Sequence, residues 1–333
     1  MRKLKNLMLL PSLVTTIYKN LNLQNKFLKR HIAPVLQKAL ANNDGTINPK
    51  DINKILKYYG LAVPAILAEG FFLLQGIKLP AKQRWISTCQ GAMTGLFDDF
   101  FDEHTISHQK IEEKINRSNP SAILNSNEIL FDFFYNKLLK LTGYPLQVQE
   151  TLYNVYHQQV KSTEQLSPYL DKKAIIEITQ GKGGASLLFY RTGLDALPGK
   201  NERDVLYRLG GLMQLSNDIF DVYKDKEAGI KSLVTTTKDM GQLTHFFLNE
   251  MRQAYQDAYK LSCSQKNIRK FLSLLSLSIF SRSFVCLAQL EKLQKKTEHV
   301  FILEAYSRKE LICDMDTKKN MLHSAAYHIK YFF

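Results

Sequence analysis

Two acidic clusters have a residue spacing that can do chemistry. In Phe97-Asp98-Asp99-Phe100-Phe101-Asp102-Glu103, Asp98 and Asp102 lie four residues apart and share one helix face. Carboxylates stacked in this way repel each other, and no Lys or Arg stands between Arg84 and Lys110 to offset them. A hard divalent cation is the natural neutraliser. In Asn217-Asp218-Ile219-Phe220-Asp221-Val222-Tyr223-Lys224-Asp225, residues Asn217, Asp221 and Asp225 follow at four-residue steps and present a column of oxygen ligands. Mg²⁺ takes an octahedral oxygen shell, of which such a column supplies a part; water and phosphate oxygens supply the rest. If both helices border one cavity, ions held between them can grip a diphosphate and neutralise the charge that develops as it leaves an allylic carbon. Either cluster alone also reads as a solvated helix face. What sets them apart is that both occur, each among apolar residues: Phe97, Phe100 and Phe101 in one, Ile219, Phe220 and Val222 in the other.

Other polar residues offer less. His104 and His108 are four apart, but without a nearby cysteine a zinc site is disfavoured and solvent-facing rings are the simpler reading. A di-iron helical bundle needs Glu-x-x-His pairs, and none of the eight histidines has Glu three residues before it. Lys182, in Gly181-Lys182-Gly183-Gly184, reads by itself as a solvated lysine in a flexible glycine loop, while Lys224 and Lys226, which flank Asp225, could reach a diphosphate, as could Arg191 and Arg308; each of these also reads as a surface charge. The glycine run is not a Walker loop, because no Gly-Lys-Ser/Thr ends it. The 19 Phe, 16 Tyr and single Trp suit a cavity that stabilises carbocations by cation–π contact, and equally suit an ordinary helical core.

The elements that must position these residues are helices. Apolar residues recur at three- and four-residue spacing, and only 16 Gly and 9 Pro interrupt them. After a basic, partly amphipathic start, a helix is expected to begin near Asp51. A second runs from Pro80 to about Glu103 with the first cluster. Others are expected over 121–141, 146–162, 166–180 and 183–193, the last two separated by the glycine run. Leu197-Pro198-Gly199 is a strong stop. Asn201 can cap a helix over 202–227 that carries the second cluster, and Gly229 sits where a terminal glycine would end it. Two long helices, 239–262 and 266–297, precede a basic, aromatic tail. Segment 226–240, with Gly229 and Gly241 near its ends, is a candidate lid. No repeat or composition shift marks a boundary, so one all-α domain over 1–333, of roughly ten to twelve helices, is expected.

The first cluster resembles the aspartate-rich DDxxD motif of the class I isoprenoid synthase superfamily, the all-α group of terpene cyclases, chain-elongating prenyl diphosphate synthases and squalene or phytoene synthases. Asn217 to Asp225 resembles the terpene-cyclase pattern ND-x-x-(S/T)-x-x-x-(D/E), with Asp221 in place of the hydroxyl residue. Gln214-Leu215-Ser216-Asn217 leading to Asp221-Val222 and Asp225 is also similar to the QLTN-x-x-x-DV-x-x-D segment of phytoene and squalene synthases. Lys182 to Phe189 resembles the helix-break segment that lines the cavity in this group. Tyr306-Ser307-Arg308 is a loose match to the Arg-Tyr near the C-terminus of bacterial cyclases.

The resemblance implies a helical bundle around a central cavity, with three Mg²⁺ ions held by Asp98, Asp99, Asp102, Asn217, Asp221 and Asp225. Asp98, Asp102, Asn217, Asp221 and Asp225 would be the catalytic set, and Lys182, Lys224, Tyr306 and Arg308 would bind diphosphate. Elongation is disfavoured, since no Arg-Arg-Gly follows Asp102 and the second motif begins Asn217-Asp218. A terpene synthase that ionises a prenyl diphosphate is the expected activity. Joining two prenyl diphosphates head to head, or a prenyl group to an acceptor, is the alternative within the fold.

A net charge of +14 and a pI near 9.4 fit an anionic partner: a phosphorylated substrate, a membrane surface or nucleic acid. A prenyl diphosphate is the expected partner and nucleic acid is not; the second alternative is a non-enzymatic basic helical protein that binds nucleic acid or acidic lipid and leaves the acidic clusters as solvated surface. Residues 1–20, with Arg2, Lys3 and Lys5 beside Leu7, Leu9 and Leu10, read as a flexible or membrane-surface segment. Pro11 interrupts the apolar run there, and no small-x-small site follows, so a secretory leader is not expected. Nor is a membrane span, since no run of about 18 apolar residues lacks a charge. Four widely spaced cysteines fit a reducing cytoplasm, with peripheral membrane contact as an addition. A homodimer is as compatible with the sequence as a monomer.

Overall fold

The computed structural model describes residues 2–102, 106–118 and 124–332, and every regular element among them is helical. The all-α expectation therefore holds, with fourteen helices among the described residues where ten to twelve are expected. They are α1 (2–41), α2 (Pro49–Gln75), α3 (Ala81–Asp102), α4 (His108–Asn116), α5 (Ser126–Leu141), α6 (Pro145–Ser162) and α7 (Lys172–Thr192). There follow α8 (Lys200–Phe220), α9 (Val222–Glu227), α10 (Leu233–Thr236), α11 (Met240–Ala258), α12 (Gln265–Gln294), α13 (Arg308–Leu311) and α14 (Lys318–Tyr331).

The higher count has identifiable sources. The basic start is a helix that continues through Pro11. The helix expected over 202–227 divides at Asp221, whose φ of −86° and ψ of 8° end α8 and start α9. In the other direction, the helices expected over 166–180 and 183–193 are one helix, α7, which starts only at Lys172 and continues through the glycine run. The cap of α8 is Gly199 rather than Asn201. Gly229 does end α9: at φ +68° its N–H bonds to the Lys226 carbonyl, and the Ile230 N–H bonds to that of Asp225, a Schellman closure.

The chain groups into two compact units, one of residues 15–154 and 189–198, the other of residues 1–14, 155–188 and 199–333. In the first, Asn48 begins α2 with a reciprocal cap: its Oδ1 accepts from the Lys50 and Asp51 amides while Asp51 Oδ2 accepts from its own. A π-helical turn over Lys54–Tyr58 then brings the backbone of α2 against α3, where a Cβ on Gly91 would lie 2.5 Å from the Tyr59 carbonyl oxygen. On another face of α3, Phe97 and Phe100 pack against Phe131 of α5, ring centroids 5.9 and 5.1 Å away. These two packings fix the rotation of α3.

In the second unit, α8, α11, α12 and α14 share a core that includes Phe247, Tyr255, Phe280 and Phe284. Two helices, α2 and α12, are long and apolar enough to cross a membrane by composition alone, but 61% and 72% of their most apolar windows are buried inside the protein. Their apolar surface is accounted for by core packing.

Helices α7 and α8 touch backbone to backbone. A Cβ on Gly183 would lie 2.0 Å from the Gly210 carbonyl oxygen, and one on Gly210 would lie 2.2 Å from that of Gly183. Gly181 faces Gln158 and Gly184 faces the Tyr207 ring at similarly short range. The glycines permit close packing of a continuous helix rather than a break in it.

Candidate active site

In the first unit, the fixed rotation of α3 sends the neighbouring aspartates in different directions. Asp98 is half-buried, and Tyr59 donates its hydroxyl to Asp98 Oδ2 at 3.3 Å. One turn earlier, Thr94 shares a hydrogen bond of 3.0 Å with the buried hydroxyl of Tyr190. Burial pushes the Tyr190 phenol up from its ordinary value, and the nearby Asp98 charge adds to the effect.

Asp99 turns into the core, where it is wholly buried and ion-paired with Lys54 of α2. Its carboxyl is pushed up to about 7, mainly by burial, against the opposing pull of Lys54 and with the adjoining Asp51 carboxyl raising it further. One buried oxygen each of Asp51 and Asp99 is without a hydrogen-bond donor. The expectation that Asp99 joins a metal-ligand set thus meets a side chain already committed to Lys54 and Asp51. The side chain of Asp102 and the whole of His104 lie outside the described residues, whereas His108 begins α4 behind the cap residue Ser107.

In the second unit, the Asn217, Asp221 and Asp225 spacing survives the break at Asp221. The amide of Asp221 bonds to the Asn217 carbonyl at 2.9 Å and that of Asp225 to the Asp221 carbonyl at 2.8 Å. Asn217 Nδ2 also donates to Asp221 Oδ2 at 3.1 Å, so these two side chains already face each other on the surface. Asp225 is buried; burial, then the charges of Asp218 and Asp221, push its carboxyl up to about 7.

Asp218 belongs to this group although its spacing excludes it from the column. It is buried, accepts from Gln214 Nε2 at 2.8 Å and Thr179 Oγ1 at 3.3 Å, and burial pushes it up to about 6. Lys182, carried on α7, is close enough to lower both Asp218 and Asp225. The Gly183–Gly210 crossing brings it there, since a Cβ on Gly183 would also lie 2.8 Å from Gln214 Cβ.

The remaining candidates occupy varied surroundings. Lys224 is exposed beside Asp225. Lys226 Nζ donates to the Tyr306 carbonyl at 3.4 Å, and Arg308 lies over the Tyr223 ring, 5.6 Å from its centroid. The segment 306–308 therefore adjoins α9. Tyr306 itself is buried, packed on Phe301 with its hydroxyl hydrogen-bonded to Thr297. Arg191 is buried in the first unit and donates to the Ala196 carbonyl, a structural role that closes the turn after α7.

Sequence reading singles out Asp98, Asn217, Asp221, Asp225 and Lys182 as candidates but not their neighbours Lys54, Tyr59 and Thr179, whose contacts join residues 39 to 45 positions apart. Gln214 and Asp218 were visible only as members of a pattern.

Among the described residues, no group of three or more His, Cys, Asp or Glu side chains is arranged to hold a metal ion by itself. The donors present are nevertheless oxygens of carboxylates and an amide, the set a hard cation prefers. Asp218 and Asp225 are carboxyls that burial pushes up although Lys182 pulls on both, Lys224 on Asp225, and Gln214 and Thr179 donate to Asp218, so a cation held beside them would favour their charged forms.

No protein-family model matches the chain, and no curated protein matches it. Among solved structures the chain is similar to a dehydrosqualene synthase crystallised with a ligand, at 14% sequence identity and a TM-score of 0.44. The match covers 85% of this chain and 99% of that one.

Proposed function

We propose that the protein is a Mg²⁺-dependent isoprenoid synthase of the terpene synthase type, acting on a prenyl diphosphate. The observation that carries this reading is the second-unit cluster: Asn217, Asp221 and Asp225 in register, two of its carboxyls buried and short of positive charge, with Lys182 alongside. Asp98 and Asp102 carry the first acidic motif and are assigned the same kind of task, as oxygen ligands for Mg²⁺. Mg²⁺, when bound, supplies the positive charge that stabilises diphosphate as a leaving group.

The chain's own residues have defined tasks. Asp98, Asp102, Asn217, Asp221 and Asp225 provide oxygen ligands, and water and diphosphate oxygens complete the shells. Asp218, held by Gln214 and Thr179, keeps negative charge beside that column and orients Lys182. Lys182, Lys224 and Arg308 bind the departing diphosphate. Tyr59 orients Asp98. Apolar surroundings must keep water from the carbocation until a proton is lost or water is admitted.

Condensation of two prenyl diphosphates is a second reading, favoured by Gln214. That residue matches the glutamine of the phytoene and squalene synthase segment and makes a defined hydrogen bond to Asp218. Incubating the protein with geranyl, farnesyl and geranylgeranyl diphosphates, singly and mixed, and analysing products by mass separates the readings. Monomeric hydrocarbons or alcohols support cyclisation, and products with the summed carbon count support condensation. No Mg²⁺-dependent product from any of them refutes both.

A further inference from the structure

The start of the chain is set apart by charge. Residues 1–43 hold eight Lys or Arg and no Asp or Glu, and residues 317–333 add three Lys and again no acid. The first turns of this stretch, residues 1–14, meet the C-terminal segment within the second unit. Asn6 Nδ2 donates to the Phe332 carbonyl at 2.7 Å and more weakly to that of Ile329, while Arg269 donates to Asn6 Oδ1 at 2.6 Å. Asn6 is buried, so the first turns of α1 are pinned by this one face.

Pinning Asn6 inward decides what points out. At 100° per residue, Leu4, Leu7, Met8, Pro11 and Val14 fall within an arc of about 120° on the side away from Asn6. Leu4 is 62% exposed, Leu7 52%, Met8 73% and Val14 50%. Lys3 and Lys5 are exposed and stand on opposite sides of this arc. Leu10 and Leu13, on the Asn6 side, are half-buried. The helix thus spends its polar Asn6 on the protein and turns its apolar side chains to solvent, the reverse of a helix that serves only its own core.

We propose that this face of α1 docks on the surface of an anionic lipid bilayer, with Leu4, Leu7, Met8 and Val14 entering the headgroup–acyl boundary. Lys3 and Lys5 extend along the apolar arc and meet lipid phosphates, as long basic side chains do at such interfaces. Residues 1–14 and 317–333, both in the second unit, carry Arg2, Lys3, Lys5, Lys318, Lys319 and Lys330 and no acidic residue, which is the charge complement that an anionic membrane requires, whereas a second copy of this chain would present the same positive charge and be repelled. The inference does not depend on the proposed catalytic reading.

The test is flotation of the purified protein with phosphatidylcholine vesicles, with and without phosphatidylglycerol, across a salt series. Binding to the anionic vesicles that weakens with salt is expected, together with little binding to phosphatidylcholine alone. Leu7→Glu with Met8→Glu should lower the anionic-vesicle partition coefficient at least tenfold, and Lys3→Glu with Lys5→Glu by about fivefold or more per lysine. All four positions are exposed, so the melting temperature should not change, and that is the folding control. No flotation with anionic vesicles, or flotation unaffected by both double variants, overturns the proposal. So does a concentration-dependent dimer in sedimentation that the Leu7→Glu, Met8→Glu variant abolishes, since the face would then belong to a second copy.

Discussion

Adding one methyl group at Gly183 tests how the second-unit cluster is assembled. In Gly183→Ala the new carbon would lie 2.0 Å from the Gly210 carbonyl oxygen and 2.6 Å from its carbon. Restoring ordinary contact, near 3.4 Å, requires α7 and α8 to separate by about 1.4 Å. Both sides of the clash are backbone, so no side chain can swing away. Overpacking of this kind costs about 3 kcal/mol, the upper part of the usual range, and the separated helices also forfeit dispersion contacts. Alanine recovers about 1 kcal/mol through its higher helix propensity. The net is a loss of about 2 kcal/mol, a fall in melting temperature of roughly 4–8 °C for a unit of this size. Lys182, the preceding residue, moves with α7, so turnover should fall more than stability alone explains. Gly143→Ala is the control: nothing lies within 4 Å of its Cβ position, and there the substitution should be neutral or stabilise by up to about 1 kcal/mol. Thermal denaturation of the two variants decides the matter. If Gly183→Ala melts at or above the unmodified protein, the close crossing of α7 and α8 is wrong.

Removing Lys54 tests the first unit. Lys54→Met leaves the buried Asp99 without its ion partner and should cost about 3–5 kcal/mol by denaturant unfolding, most of which Asp99→Asn in the same chain recovers. A cost below about 1 kcal/mol would show that the pair is not formed. His328 sets a pH dependence. Burial, reinforced by the Arg269 charge, lowers it to about 4 from 6.5, while its Nδ1 shares a hydrogen bond with Ser276. Between those values the unfolded chain binds the proton and the folded protein does not. Stability from this residue is therefore complete above about pH 6.5 and is lost as pH falls toward 4, by roughly 3 kcal/mol. Unfolding curves for His328→Gln should lack that component of the slope; an unchanged slope would contradict the assignment.

The sequence made the helical class legible because its apolar spacing is helical nearly throughout. It also marked the stop at Leu197-Pro198-Gly199 and the end of α9 at Gly229, where local chain geometry alone decides the outcome. It misplaced the glycine run beside Lys182. Glycine signals a break when nothing else is known, but Gly181, Gly183 and Gly184 sit in a helix because Gln158, Gly210 and Tyr207 leave no room for a side chain. The four-residue spacing of Asn217, Asp221 and Asp225 predicts a column, and the backbone hydrogen bonds keep that register. It could not show that Asp99 is claimed by Lys54, since that pairing depends on the π-helical turn in α2 and the close approach of α2 to α3. Tyr306, too, was singled out by its place in a pattern, while its hydroxyl is held by Thr297 through a contact that spacing does not reveal.

The central claim is most directly tested by the rate of pyrophosphate release from prenyl diphosphates as a function of Mg²⁺, measured for the unmodified protein, Asp98→Asn and Asp225→Asn. The expected result is release that saturates with Mg²⁺, disappears with EDTA, and falls by at least about a hundredfold in each variant while helical content is unchanged. Release that is indifferent to Mg²⁺, or that persists in both variants, would contradict it.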